Sequence, residues 1–150
     1  EPQPEAGTIN VNLGRSLKDR RVTAAFPEGD FGRRAVTHYK TLKNLRYVSL
    51  IECKLETGRT HQIRAHMKHI GHPLFNDATY GGNQVMKGTV FSKYKQFVDN
   101  CFEVMPRQAL HAKTLGFVHP HSGKFVQFES ELPEDFVQLI DKWEHYVKYN

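Results

Sequence analysis

A chain of 150 residues suits one domain with a real core, and 39% hydrophobic against 25% charged residues places it with globular proteins. No apolar run approaches the roughly 18 residues a membrane span requires. The two cysteines, Cys53 and Cys101, lie far apart without local partners, which argues against a disulfide framework or a four-thiolate metal site and fits a reducing cytoplasm. Glu1–Gly7 has neither a charged-then-apolar signal segment nor a cleavage motif, and reads as the middle of a longer protein. The charge is uneven: residues 1–75 carry a net +6 and residues 76–150 a net −1. A basic half joined to a near-neutral one is the footprint of a polyanion partner. A basic balance is also common in soluble proteins, so charge alone suggests nucleic acid without establishing it.

Residues 1–34 are rich in Gly, Pro and charge, with one alternating run, Thr8–Leu13, that predicts a strand, and a turn at Pro27-Glu28-Gly29-Asp30. Ala35–Leu42 and Tyr47–Leu55 predict a hairpin. Both faces of the second strand are partly apolar, which predicts a central place in its sheet. The period then changes: Ile63, His66/Met67 and Ile70 recur at helical spacing, so Thr60–Ile70 is expected as a short helix capped by Thr60 and ended by Gly71 and Pro73. Residues 83–105 are the least legible and read as an insertion, a loop carrying one helix with Phe91, Tyr94, Phe97 and Val98 on one face. Ala109–His119 and Lys124–Ser130 predict a second hairpin with its turn at His119–Gly123. Its Phe117, Phe125 and Phe128 read as core, together with Phe136. From Pro133 a closing helix runs to the end of the chain, with Phe136, Leu139/Ile140, Trp143 and Tyr146/Val147 on one face. The expected architecture is a single α+β domain with a mixed or antiparallel sheet and flanking helices.

The densest chemistry lies in Leu55-Glu56-Thr57-Gly58-Arg59-Thr60-His61-Gln62-Ile63-Arg64-Ala65-His66, where two arginines, two histidines, an amide and two threonine hydroxyls share one strand-to-helix junction. Backbone N–H groups at the helix start beside Arg59 suit an anion such as phosphate. Arg64 faces away from Arg59 and is placed to meet a carboxylate in a bidentate pair. A single exposed Arg or His on a capped helix is ordinary solvated surface; this density at a glycine hinge points to function.

The string LETGRTHQIRAHMKHIGHPLFNDATYGG resembles the third conserved block of the RluA-type pseudouridine synthases, which modify ribosomal and transfer RNA. Arg107–Ala112, His119-Pro120 and Glu131–Phe136 resemble that family's later strands and final helix, so the likeness runs from Ala35 to Phe136, with 83–105 matching poorly. The resemblance implies a partial catalytic domain of that fold, RNA as partner, and neither metal nor organic cofactor. It implies that Arg64 pairs with the catalytic aspartate, that Leu110 packs against the target base, and that Arg59, Thr60, His61, Gln62 and His111 line the cleft at the substrate. Asp77 matches a turn and reads as structural. The family's nucleophile lies in an Arg-Leu-Asp segment, and a tyrosine that stacks on the base also lies upstream of the region matched here; neither motif is present, and none of the six aspartates follows an Arg-Leu pair. The expectation is therefore half a site, with Arg64 an unmatched charge and no turnover by these residues alone. A domain cut within its sheet would also leave an unpaired edge that favours association of chains.

Three other readings compete. His66, His69 and His72 recur every three residues, but Gly71 and Pro73 break the helix and no Cys-x-x-Cys or His-Glu-x-x-His frames them as zinc ligands. His61 and His111 offer an acid–base pair for metal-free RNA cleavage. A passive RNA-binding module would keep the basic cleft without chemistry.

Overall fold

The computed structural model describes residues 1–89 and 91–150. Its strands are β1 (Ala6–Asn10), β2 (Asn12–Arg15), β3 (Thr23–Phe26), β4 (Val36–Leu45), β5 (Val48–Leu55), β6 (Thr114–Val118) and β7 (Phe125–Glu129). The helices are α1 (Gln62–His69), α2 (Ser92–Val104) and α3 (Glu134–Tyr149). All strand pairs are antiparallel: a sheet in the order β1-β4-β5, a ribbon β2-β3 and a separate hairpin β6-β7. The α+β expectation holds, with the sheets purely antiparallel among the described residues.

The strand expected over Thr8–Leu13 is two strands, because the chain changes partner at Val11. Asn10 still pairs with Val36 of β4, whereas Asn12 pairs with Phe26 of β3. Val11 between them gives its N–H to the Ala35 carbonyl and takes a hydrogen bond on its own carbonyl from the His66 ring. The central strand is β4, not β5 as expected. The mixed pattern of β5 arises because Ile51 and Cys53 pack toward α1 while Val48 and Leu50, on alternate positions, pack on the α2–α3 core.

Helix α1 lies over the sheet with two apolar contacts. Met67 packs with Ile9 and Tyr39, and Ala65 packs with Leu13, Ala35 and Tyr80. A larger core joins α2 and α3 to the end of β4 through Leu45, Tyr94, Val98, Cys101, Met105, Phe136, Leu139 and Trp143. Trp143 stands edge-on to Phe97 at 4.8 Å, and Phe97 stacks on Tyr146 at 4.1 Å, arrangements aromatic quadrupoles favour. The apolar face of α3 read from sequence is therefore the face it buries. A cavity of about 430 Å³ separates this core from β5 and α1, with Ile51, Cys53, Met67, Leu110, Phe136 and Trp143 among its walls.

The β6-β7 hairpin forms where the pattern places it, and His119 closes its turn by accepting the N–H groups of His121 and Ser122 on Nδ1. Its aromatics are not core. Phe117, Phe125 and Phe128 are 40%, 66% and 59% exposed, because among the described residues no layer covers either face of the hairpin. Phe136, on α3, is buried as expected.

Candidate active site at the strand-to-helix junction

The chain leaves β5, turns through Gly58 and enters α1 without the threonine cap the sequence suggests. Thr60 is exposed and makes no capping hydrogen bond; the N-cap is His61, in the left-handed region at φ 51. The cap is supplied from inside the first turn. Gln62 Oε1 accepts the Arg59 N–H at 2.9 Å and the Thr57 hydroxyl at 2.8 Å, while Nε2 donates to the Val36 carbonyl and to Thr37 Oγ1, both at 3.0 Å. With both acceptor sites and both donors used, and the residue 3% exposed, Gln62 has nothing left for a substrate. Its expected place at the substrate is corrected: it clamps the helix start to the end of β4. Of the backbone N–H groups expected to seat an anion at the helix start beside Arg59, that of Arg59 itself is taken by this same amide oxygen.

One step further in, hydrogen-bond bookkeeping fixes His66. Thr37 Oγ1 accepts from Gln62 and so donates to His66 Nδ1 at 2.8 Å, while Nε2–H donates to the Val11 carbonyl at 2.8 Å. Burial disfavours the imidazolium and lowers the His66 pKa, outweighing the opposing pull of the Val11 carbonyl. Both ring nitrogens are spent inside the fold, so His66 has none to offer a metal. Burial also pushes the thiols of Cys53 and Cys101 up to about 11, which leaves neither as a thiolate nucleophile near neutral pH.

Arg64 does not stand unmatched. Its Nε and Nη2 donate to the two oxygens of Asp77 at 2.8 and 2.9 Å, and the Asp77 carboxylate is wholly buried. This hydrogen-bonded carboxylate raises the guanidinium pKa. Asp77 is held in turn: the Tyr80 N–H points at it, and its loop closes by mutual backbone bonds with Gly82. A Cβ on Gly82 would lie 1.8 Å from the Leu74 carbonyl oxygen, so this loop admits only glycine there. The expectation of a partnerless Arg64 fails because the turn after α1 folds back under the helix and brings a carboxylate 13 residues along the chain to meet it. Arg64 Nη1 has no partner among the described residues and is not among the buried orphan atoms, so it reaches solvent.

The other expected residues divide. His61 Nδ1 meets Tyr80 Oη at 2.9 Å, and the Arg64 guanidinium lies 4.8 Å over the Tyr80 ring, so Tyr80 joins the two. Arg59 is half-buried and donates from Nε to the Arg34 carbonyl. Leu110 is a wall of the apolar cavity, and Arg64 is not, so the structure does not bring them into one pocket. His111 packs near Phe136 with Nε2 buried and unpartnered; its neighbours are not those of His61. Thr37 and Tyr80 escaped the reading from sequence as site residues, and Thr57 was counted at the junction without a role. A tyrosine three residues after Asp77 was the available signal for the last.

An α+β domain whose strand-to-helix junction gathers two arginines, a histidine and a buried carboxylate belongs to the class of folds that carry a charged site on an ordered scaffold. The comparisons narrow this class. The RNA pseudouridylate synthase family matches residues 1–69, which contain Arg59, His61 and Arg64 but not Asp77 or Tyr80. The chain is 47% identical over 94% of its length to an uncharacterized RNA pseudouridine synthase of Chlorobaculum parvum, covering 43% of that protein. It is 44% identical over 91% of its length to ribosomal large subunit pseudouridine synthase D of Zymomonas mobilis, covering 39% of that one. The fold is also that of the human RNA pseudouridylate synthase domain containing 4, with a TM-score of 0.62 over 95% of this chain and 58% of that one at 19% identity. The chain belongs to the RNA pseudouridine synthase family. It spans about two fifths of the length of the curated relatives it matches. Among the described residues no helix is long and apolar enough to cross a membrane.

Proposed function

We propose that this chain is the part of an RNA pseudouridine synthase that supplies the basic half of the catalytic site. The observation that carries the reading is the guanidinium of Arg64, fixed along one edge by Asp77 and with no partner at Nη1 among the described residues. An arginine held this way presents a rigid donor to a second carboxylate, the role the family resemblance assigns to it. Arg59 and His61 stand at the same junction as contacts for RNA, Thr60 is exposed beside them, and Leu110 and His111, which lie in a different part of the domain, keep the substrate roles the family resemblance gives them. The reaction would isomerise a uridine of ribosomal or transfer RNA in the cytoplasm. The base would be flipped from its stack and an aspartate would act as covalent catalyst while uracil detaches and rejoins through carbon. No cofactor enters this scheme.

The six aspartates present do not supply the nucleophile. Asp77, the one carboxylate that meets Arg64, is sealed from solvent with both oxygens engaged. The chain alone should bind uridine-containing RNA, with affinity that falls as salt rises, and should form no pseudouridine. Chromatographic nucleoside analysis after digestion of the RNA measures this directly, and joining the chain to a segment carrying Arg-Leu-Asp should restore product. Pseudouridine formed by the chain alone would refute the half-site reading. Cleaved RNA instead of modified RNA would favour a histidine-dependent ribonuclease. The uncovered hairpin and the free edge of β5 are surfaces on which the rest of a synthase domain, or a second copy, would pack; sedimentation measures whether copies associate.

A further inference from the structure

Tyr80 is buried, carries one proton on Oη and accepts the Thr23 backbone N–H at 3.1 Å. Its one other hydrogen-bond partner among the described residues is His61 Nδ1 at 2.9 Å. The phenol proton therefore goes to Nδ1, and a neutral imidazole with an accepting Nδ1 carries its own proton on Nε2. The opposite tautomer would set N–H against the phenol oxygen and leave the phenol proton without an acceptor inside the fold, a costly state for a buried donor. His61 itself is exposed, and its Nε2 has no partner among the described residues. The Arg64 cation over the Tyr80 ring, held there by Asp77, draws charge toward the ring face and strengthens the phenol as a donor.

We propose that Tyr80 is a positioning residue that holds His61 as the neutral Nε2–H tautomer and so presents a fixed hydrogen-bond donor to a phosphate oxygen of RNA. The assignment to RNA rests on the functional reading above. Phosphate is favoured over the base because Arg59, the other outward donor of this turn, lies two residues away with its Nη groups uncommitted among the described residues.

Ring-nitrogen NMR of the labelled chain at mildly alkaline pH, without RNA, reads the tautomer. The wild type should show His61 with a single protonated Nε2. Tyr80→Phe keeps the ring under Arg64 and removes the hydroxyl, and should give a mixture of tautomers. Short oligouridylate should perturb Nε2, and uridine nucleoside should not. Affinity for oligouridylate should fall about tenfold to a hundredfold in His61→Ala, as for loss of one hydrogen bond to a charged group, and by a smaller factor in Tyr80→Phe, which only mixes the tautomers; His61→Gln, whose amide N–H mimics Nε2–H, should recover part of the His61→Ala loss. A wild-type ring protonated on Nδ1 overturns the proposal, as does a Tyr80→Phe chain with unchanged tautomer and affinity. A response to uridine equal to that of oligouridylate overturns the phosphate assignment. If the wild type binds no RNA, the RNA half falls together with the functional reading. The tautomer, measured without RNA, decides the Tyr80 half by itself, even where a variant fails to fold.

Discussion

The α1 junction and the β6-β7 hairpin are opposites in how they spend their surface. At the junction, polar side chains go inward and are consumed: Gln62, Thr37, Thr57, His66 and Asp77 make hydrogen bonds within the fold. What remains outward is a small remnant, His61 Nε2, Arg64 Nη1 and the Arg59 head. At the hairpin, apolar side chains go outward and are not consumed; Leu115, Val118 and Phe125 are each more than 60% exposed. An isolated two-stranded hairpin is marginal in water. The junction is thus complete as a scaffold and incomplete as a site, whereas the hairpin is incomplete as a structure.

If the junction is a finished scaffold, breaking its ion pair should unfold it. Asp77→Ala leaves the Arg64 guanidinium largely covered and without its carboxylate, and should cost about 3–5 kcal/mol in urea unfolding. Arg64→Met should cost a similar amount by leaving Asp77 as a buried lone charge. Because each single change strands the other partner, Asp77→Ala combined with Arg64→Met should be less destabilising than the two costs added. Additive losses would show that the pair is not coupled and that Asp77 does not fix Arg64. Gln62→Leu comes next, at about 2–3 kcal/mol, because it strands the Arg59 N–H and the Thr57 hydroxyl. A loss of RNA affinity at unchanged stability would return Gln62 to the substrate.

The junction should also carry a pH signature that the hairpin lacks. The His66 pKa is lowered in the folded state from the ordinary 6.5, and that of His72 shifts the same way, each chiefly through burial. The unfolded chain therefore binds protons more readily than the folded one between the lowered values and 6.5. Stability is full above 6.5 and is lost as pH falls through that window. His66→Gln keeps a donor for the Val11 carbonyl and removes the titration, so it should flatten part of the acid slope; an unchanged slope would assign it all elsewhere.

The helices, both hairpins and the chemical weight of residues 55–66 were legible because periodicity and residue type are local. The inward or outward fate of each polar group was not, since it depends on partners far along the chain. Arg64 was read correctly as a cation built for a bidentate carboxylate, but its partner came from a turn 13 residues on that sequence periodicity does not reach. Thr60 has the composition of a cap, yet an amide two residues later could reach both Thr57 and the Arg59 N–H, and the backbone followed it into a left-handed N-cap. Leu115, Phe117, Val126 and Phe128 alternate onto one face of the hairpin as core residues do, with Phe125 on the other. Alternation records which face seeks cover without saying whether anything in this chain supplies it.

The hairpin gives the smallest effect on folding and the sharpest contrast. Leu115→Lys and Phe125→Lys replace side chains already in water, so each should change unfolding free energy by no more than about 0.5 kcal/mol. Phe125 does lie over Gly116, where an added Cβ would come within 2.6 Å of its ring. That contact covers glycine backbone, and losing it should cost little. The two lysines should instead reduce association of the chain in sedimentation by breaking an exposed apolar patch. If either change cost as much as Gln62→Leu, the hairpin would have to be covered in solution, and the contrast with the junction would dissolve.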